Sequence, residues 1–270
     1  MTSRFRLGAL LFGAVVSLSS PAVAASCGTG NFDAWLDDFR RDAAAQGLSQ
    51  NTIASSLQGI TLDTGILSRD RRQQVFSQSF EEFSGRMIPP RLASGGNKMK
   101  QYGSLLGRIE DKYGVPGSVL VAIWGLETDY GINIGKFPTL RALATLAYDC
   151  RRSDTFRAEL MDALRIVERG DLSPSDMRGA WAGEIGQTQF MPSSYLKYAV
   201  DFDGNGRSDL LRSPADALAS TANYLASHGW RRGEPWDLGS ANFAVIQQWN
   251  KSSVYAKTIA SFASQLDHAP

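Results

Sequence analysis

A mainly α-helical fold is predicted for this 270-residue chain by three observations. Apolar residues recur at three- and four-residue spacing along most of its length, no run alternates strictly enough to demand a strand, and helix start and stop residues bracket the periodic segments. The 26 glycines punctuate these segments and do not collect into a linker.

Phe32, Trp35, Leu36 and Phe39 share one helical face that begins after Asn31 and stops at Gly47, and Ser49 can cap a second helix, so the segment reads as a helical hairpin. Residues 59–78 hold Thr61, Leu62 and Asp63 and the arginines Arg69, Arg71 and Arg72. They read as a surface excursion with a solvated basic face before a helix near 79–86. Met87-Ile88-Pro89-Pro90 ends that element, and one long helix over 92–113 follows with Leu105, Leu106 and Ile109 inward. Pro116 suits a first helical turn and Gly131 a C-cap, which delimits a short helix from Gly117 to Tyr130. Further helices are expected at 138–149, 154–169, 193–200, 214–228, 241–249 and 251–266. No internal repeat or low-complexity stretch appears, and a division near residue 90 would separate a helical lobe, 26–90, from a core, 91–270.

Residues 1–25 read as a cleaved export signal, because Arg4 and Arg6 precede the apolar run at 7–18 and small residues follow at 22–25. That run is too short to span a bilayer comfortably. A periplasmic protein is therefore expected. In an oxidising compartment Cys27 and Cys150 read as a disulfide, not as a metal or catalytic pair. Acylation of Cys27 would make a lipoprotein, but Ser26, Ala25 and Ala24 before it lack the usual leucine three positions upstream. Loss of Arg4 and Arg6 takes the basic residues from 28 to 26 against 27 acidic ones, so a nucleic-acid partner is not expected.

Glu127 is the leading catalytic candidate. Val119, Leu120, Ile123 and Trp124 precede it at helical spacing, which places its carboxyl at the end of an apolar stripe and at the negative end of the helix dipole. Both influences raise a carboxyl pKa and suit a proton donor near neutral pH. The competing reading is a structural glutamate paired with an arginine. A second segment, 182–195, gathers Gly183, Gly186, Gln187, Thr188 and Gln189 before Phe190-Met191-Pro192. Polar groups on a glycine-bent loop beside aromatic surface suit a sugar, although buried glutamines satisfying backbone groups would look the same. Immediately downstream, Asp201, Asp203, Asn205, the Arg207 carbonyl and Asp209 occupy positions 1, 3, 5, 7 and 9 of an EF-hand-like loop with Gly206 at position 6. Arg212 stands at position 12 where a glutamate is usual, so Asp216 would have to close the shell around a structural calcium. The alternative is an Asp/Asn/Gly turn without metal. No organic cofactor is expected.

Together these residues resemble the B family of membrane-bound lytic murein transglycosylases, peptidoglycan-cleaving enzymes with a lysozyme-like helical core. Glu127-Thr128-Asp129-Tyr130-Gly131, Cys150-Arg151-Arg152, the run from Gly186 to Tyr195, the Asp201 loop, Asn223-Tyr224, His228-Gly229-Trp230, Trp249-Asn250 and Tyr255 carry the likeness, in unbroken order over roughly residues 30–266. Two departures stand out: Trp249 occupies a position where tyrosine often precedes the asparagine, and a residue looks inserted near Leu211-Arg212-Ser213.

The resemblance implies that Glu127 is the acid/base, that Gln189, Tyr224, Asn250 and Tyr255 line a glycan cleft, and that Arg151 and Arg152 meet the peptide or lactyl part of the substrate. It also implies a lyase-type cleavage that needs one carboxyl. The second carboxyl nearest in sequence, Asp129, lies two positions on and faces elsewhere on the helix. The competing functions are a hydrolytic muramidase and a non-catalytic glycan-binding or scaffold protein of a wall-synthesis or secretion complex. A monomer acting on glycan strands is expected.

Overall fold

The computed structural model describes residues 27, 28, 30–72 and 78–268. The expected export segment lies outside the described residues.

Helix α1 (Phe32–Ala45) starts at Asn31, whose side chain accepts from the Asp33 N–H, and α2 (Gln50–Leu57) starts at Ser49 in the same way. A third helix, α3 (Thr64–Arg71), lies where a surface excursion was expected. Asp63 caps it by accepting from the Gly65 and Ile66 N–H groups, and Ile66 and Asp70 are its inward residues. Its apolar content is too small to show as a periodic stripe. Helix α4 (Phe80–Met87) opens with a reciprocal capping box between Ser79 and Glu82. Pro89 then begins α5 (Pro89–Gln101) directly.

The long helix expected over 92–113 is two. Tyr102, at φ −105° and ψ 13°, separates α5 from α6 (Gly103–Tyr113). The Tyr102 ring packs edge-on against Trp124 with centroids 5.5 Å apart, so the break lets α5 lie on α7 and α13 while α6 turns toward α11.

Helix α7 (Gly117–Thr128) ends two residues earlier than expected because Asp129 and Tyr130 are left-handed, at φ 50° and 62°. Every residue of it but the half-buried Glu127 is buried, and it has no polar face. After it come β1 (Phe137–Pro138), α8 (Thr139–Tyr148), α9 (Ser153–Arg169), β2 (Arg178–Gly179), α10 (Pro192–Tyr198), α11 (Pro214–Ser227), α12 (Ala241–Trp249) and α13 (Ser253–Asp267). The strands pair antiparallel, Phe137 opposite Gly179. At two residues each, neither is long enough to display an alternating pattern.

Two apolar cores organise the chain. Phe39, Leu57 and Ile66 from α1–α3 pack with Leu143, Leu160 and Leu164 from α8 and α9 and with Tyr195 from α10. Ile88, Leu106 and Ile109 pack with Leu120 and Trp124 of α7, Leu218, Leu225, Ile246 and Phe262. Tyr224 and Trp249 touch both cores, so a cleft between them is walled by aromatic rings.

Candidate active site

The C-terminal end of α7 is fastened from two sides. Thr128 Oγ1 donates to the Gln187 carbonyl at 2.5 Å and accepts the Gly131 N–H at 3.0 Å, which ties the helix to the 182–195 loop. On the other side Arg91 pairs with Asp129 at 2.7 Å and donates from Nε to the Gly125 carbonyl at 2.9 Å. The Tyr130 hydroxyl donates to the Arg91 carbonyl at 2.7 Å. Residue 125 has to be glycine, because a Cβ there would sit 2.8 Å from that hydroxyl.

Glu127 is thereby held at the head of a cavity of about 340 Å³. The indole N–H of Trp249 donates to Glu127 Oε1 at 3.1 Å, and the Tyr255 hydroxyl makes a second side-chain hydrogen bond to the carboxyl. Burial drives the Glu127 pKa from 4.5 up to about 7, against the lowering effect of those two donors and with help from the negative charge of Glu184. Burial and the neighbouring Glu127 likewise push the Tyr255 hydroxyl well above its ordinary value, so it stays a donor.

The opposite wall is the 182–195 loop. Ile185 and Phe190 exchange backbone hydrogen bonds of 2.7 and 2.9 Å, and the tight turn between them sets Gln189 at φ 56°. Phe190 packs edge-on to Trp249, and Trp249 edge-on to Tyr224, with centroids 5.4 and 5.1 Å apart. Tyr224 is stacked in turn on His228 at 4.0 Å. Ring faces beside hydrogen-bonding groups are the surface a sugar ring requires.

The Asp201 loop brings one carboxylate oxygen each from Asp201, Asp203 and Asp216 within 4.8 Å of one another. Hard oxygen donors gathered this closely fit a calcium ion. Asp209 does not join them. Its carboxylate accepts the Leu211 and Arg212 N–H groups and pairs with the Arg212 guanidinium at 3.1 Å. The arginine at position 12 thus takes up Asp209. Asn205 Oδ1 accepts the Arg207 N–H at 3.2 Å. Elsewhere Cys27 and Cys150 are joined, with Cα atoms 5.0 Å apart, and tie the chain before α1 to the segment after α8.

A family model described as Transglycosylase SLT domain matches residues 31–240, most of the described chain. The chain belongs to the SLT-domain transglycosylase family. It is 42% identical over 149 residues to membrane-bound lytic murein transglycosylase B of Escherichia coli K12, a match covering 55% of this chain and 41% of that relative. Among solved structures, SltB3 of Pseudomonas aeruginosa in complex with NAG-NAM-pentapeptide is 32% identical, with TM-score 0.84 over 88% of this chain and 80% of that one. The Escherichia coli lytic transglycosylase Slt35 in complex with calcium is 26% identical, with TM-score 0.76 over 86% of this chain and 92% of that one. The lysozyme-like helical fold expected for the chain is the fold of these transglycosylases.

Gln189, Tyr224 and Asn250 line the cavity with Glu127, and the Tyr255 hydroxyl bonds to the carboxyl. Parts of these side chains hold the framework: Gln189 Nε2 donates to the Gly186 and Ile134 carbonyls, Tyr224 to the Gln248 carbonyl, and Asn250 Oδ1 accepts the Ser252 N–H ahead of α13. Gln187 and Thr188 are buried and serve backbone and Thr221 partners. Arg151 and Arg152 both bind the buried Asp70 of α3. Burial alone would raise the Asp70 carboxyl, but the two guanidiniums hold it below its ordinary value. Both arginines keep part of their surface exposed.

Sequence reasoning left Trp249 without a role and did not single out Glu184. Trp249 is the departure from the tyrosine often found there, and the indole is the direct donor to Glu127. Glu184 is the second carboxyl on the cavity wall. Asp129, the sequence neighbour considered for that part, is turned to Arg91.

Proposed function

We propose that this protein is a periplasmic lytic transglycosylase that cleaves the β-1,4 bond between MurNAc and GlcNAc in peptidoglycan and leaves a 1,6-anhydroMurNAc end. The observation that carries the reading is a carboxyl held by the Trp249 indole in an aromatic-walled cleft, where burial lifts its pKa to about 7. Near neutral pH such a group is divided between its two forms, so it can give a proton and then take one back. Glu127 protonates the glycosidic oxygen and the C1–O bond breaks, with the sugar's own acetamido oxygen sharing the positive charge. Carboxylate Glu127 then removes the C6 hydroxyl proton as that oxygen closes on C1, and no water enters. Trp249 and Tyr255 orient the carboxyl throughout.

Gln189, Tyr224 and Asn250 hold sugar rings in the cleft, and Arg151 and Arg152 meet the lactyl or peptide carboxylates from their exposed edges. The solved complexes of SltB3 with NAG-NAM-pentapeptide and with NAG-anhNAM-pentapeptide support both the substrate class and the anhydro product. Asp201, Asp203 and Asp216, with Asn205 and the Arg207 carbonyl, would hold a calcium ion. Its contribution would be to fix the loop that follows the cleft wall, with no part in bond breaking.

Mass spectrometry of products from purified sacculi tests the reading. Anhydromuropeptides are expected from the wild-type protein and none from Glu127→Gln. Reducing MurNAc ends, one water heavier, would establish a hydrolase instead, and binding without turnover would establish a scaffold.

A further inference from the structure

Glu184 is the charged group in the cleft that the proposed mechanism leaves without a task. It lines the same cavity as Glu127, from the 182–195 loop. Its backbone is pinned. The loop is braced behind it by the Ile185–Phe190 bridge, and Gly179 of β2 lies so close that a Cβ there would overlap the Glu184 carbonyl, at 1.7 Å. Its Oε2 accepts the Ala182 N–H at 3.1 Å, which fixes the side chain as well. A half-buried acid held this firmly on a cavity wall is costly unless its charge is used.

The groups facing the two carboxyls come from separate elements. Glu127 on α7 meets neutral donors only, Trp249 of α12 and Tyr255 of α13, because Arg91 of α5 is engaged by Asp129. Glu184 meets backbone N–H groups of its own loop and the charge of Arg152 at the start of α9, a guanidinium that also holds Asp70 of α3. Two carboxyls in one cleft do not ionise together freely. Burial raises both carboxyls, but Arg152 is among the groups that lower Glu184, whereas the charge of Glu184 is among those that raise Glu127.

Resting on the transglycosylase reading, we propose that Glu184 is the second working carboxyl of the cleft, a fixed negative charge that keeps the proton on Glu127 and steadies the cationic sugar centre as the glycosidic bond breaks. It exchanges no proton itself. The proton lost by Glu127 goes to the leaving oxygen and returns from the C6 hydroxyl, while Glu184 remains a carboxylate from start to finish. Its worth lies in the transition state, where positive charge appears, more than in substrate binding.

The test is Glu184→Gln, with Glu184→Asp as the charge-retaining control, in the full-length processed protein. Carbon-13 carboxyl NMR, with the Glu127 signal assigned through Glu127→Gln, reads the Glu127 midpoint without any substrate. In Glu184→Gln that midpoint should fall by about one pH unit. On soluble GlcNAc-MurNAc oligomers kcat at pH 7 should drop roughly tenfold or more with KM little changed. The alkaline limb of the rate profile should move down with the midpoint, and Glu184→Asp should recover much of both. An unchanged midpoint overturns the coupling, and a loss confined to KM overturns the electrostatic part. Hydrolytic products that vanish in Glu184→Gln would make Glu184 a water-activating base and overturn the inference as stated. A wild-type protein that cleaves no glycan sinks the transglycosylase reading and the sugar half of this inference, while the NMR midpoint still decides the coupling.

Discussion

Replacing Glu127 by glutamine should make the protein more stable while abolishing cleavage, and the gain should depend on pH. The folded Glu127 holds its proton up to a pKa of about 7, whereas an ordinary glutamate releases it at 4.5. Between these values the folded state binds more protons than the unfolded chain, so wild-type stability falls as pH rises through this window. At about 1.36 kcal/mol per pH unit the full loss is about 3 kcal/mol, complete above pH 7 and absent below 4.5. Glutamine does not titrate, and it can still accept from the Trp249 N–H and meet the Tyr255 hydroxyl. The variant should therefore match wild type near pH 4 and exceed it by about 2–3 kcal/mol at pH 8, allowing for water in the cleft. For a chain of this size that is roughly 4–12 °C in Tm. Paired thermal or urea melts of the two proteins from pH 4 to 8 measure the gap, and subtraction removes every titration they share. A gap that stays flat with pH would refute the buried, proton-holding Glu127. A gap that widens toward low pH would reverse its sign.

Trp249→Phe removes a donor to the carboxylate at 3.1 Å, so the Glu127 pKa should climb and the alkaline limb of kcat/KM should move up by about one pH unit; a limb that moves down would count against the hydrogen bond. Thr128→Val leaves the Gln187 carbonyl and the Gly131 N–H without their shared partner and should cost about 1–3 kcal/mol in denaturant melts, an effect an unlinked loop would not show. Calcium added to chelator-stripped protein should raise Tm, by about 2.7 kcal/mol of stability at a hundredfold excess over Kd, and Asp201→Ala should lose that response; equal melts with and without the ion would leave only a turn. Cys150→Ser should cost about 2–4 kcal/mol, and identical urea midpoints for reduced and oxidised wild type would mean the cross-link contributes nothing.

What could be read from the chain, and what could not, divides by whether the signal is local. Glu127 was legible because an acid interrupts an apolar helical run, and the cap at Asn31, the cap at Ser49 and the Asp201 loop were legible because each is written in consecutive residues. Helix α3 was hidden because two inward residues, Ile66 and Asp70, make no stripe, and the second of them is an acid whose arginines lie 81 and 82 positions away. The break at Tyr102 was hidden for a related reason. The ring contact with Trp124 that accompanies it is non-local, and Gly103 beside it weakens a helix without forbidding one. The polar run at 187–189 carried both of its readings at once, since Gln187 and Thr188 serve the framework and Gln189 faces the cleft. Glu184 was beyond local reading altogether, and Trp249 stood out only as a departure with no role attached. A tryptophan at the end of an apolar helix reads as core, and a glutamate between glycines reads as a solvated loop residue. Only when the end of α12 and the 182–195 loop converge on the end of α7 do an indole N–H and a second carboxyl meet Glu127. The chemistry of a proton donor is set by what surrounds it, and that surrounding is assembled from three places in the sequence that share no periodicity. A candidate proton donor can therefore be singled out in a linear pattern, whereas the groups that tune it are found by asking which charges the fold brings into the same cavity.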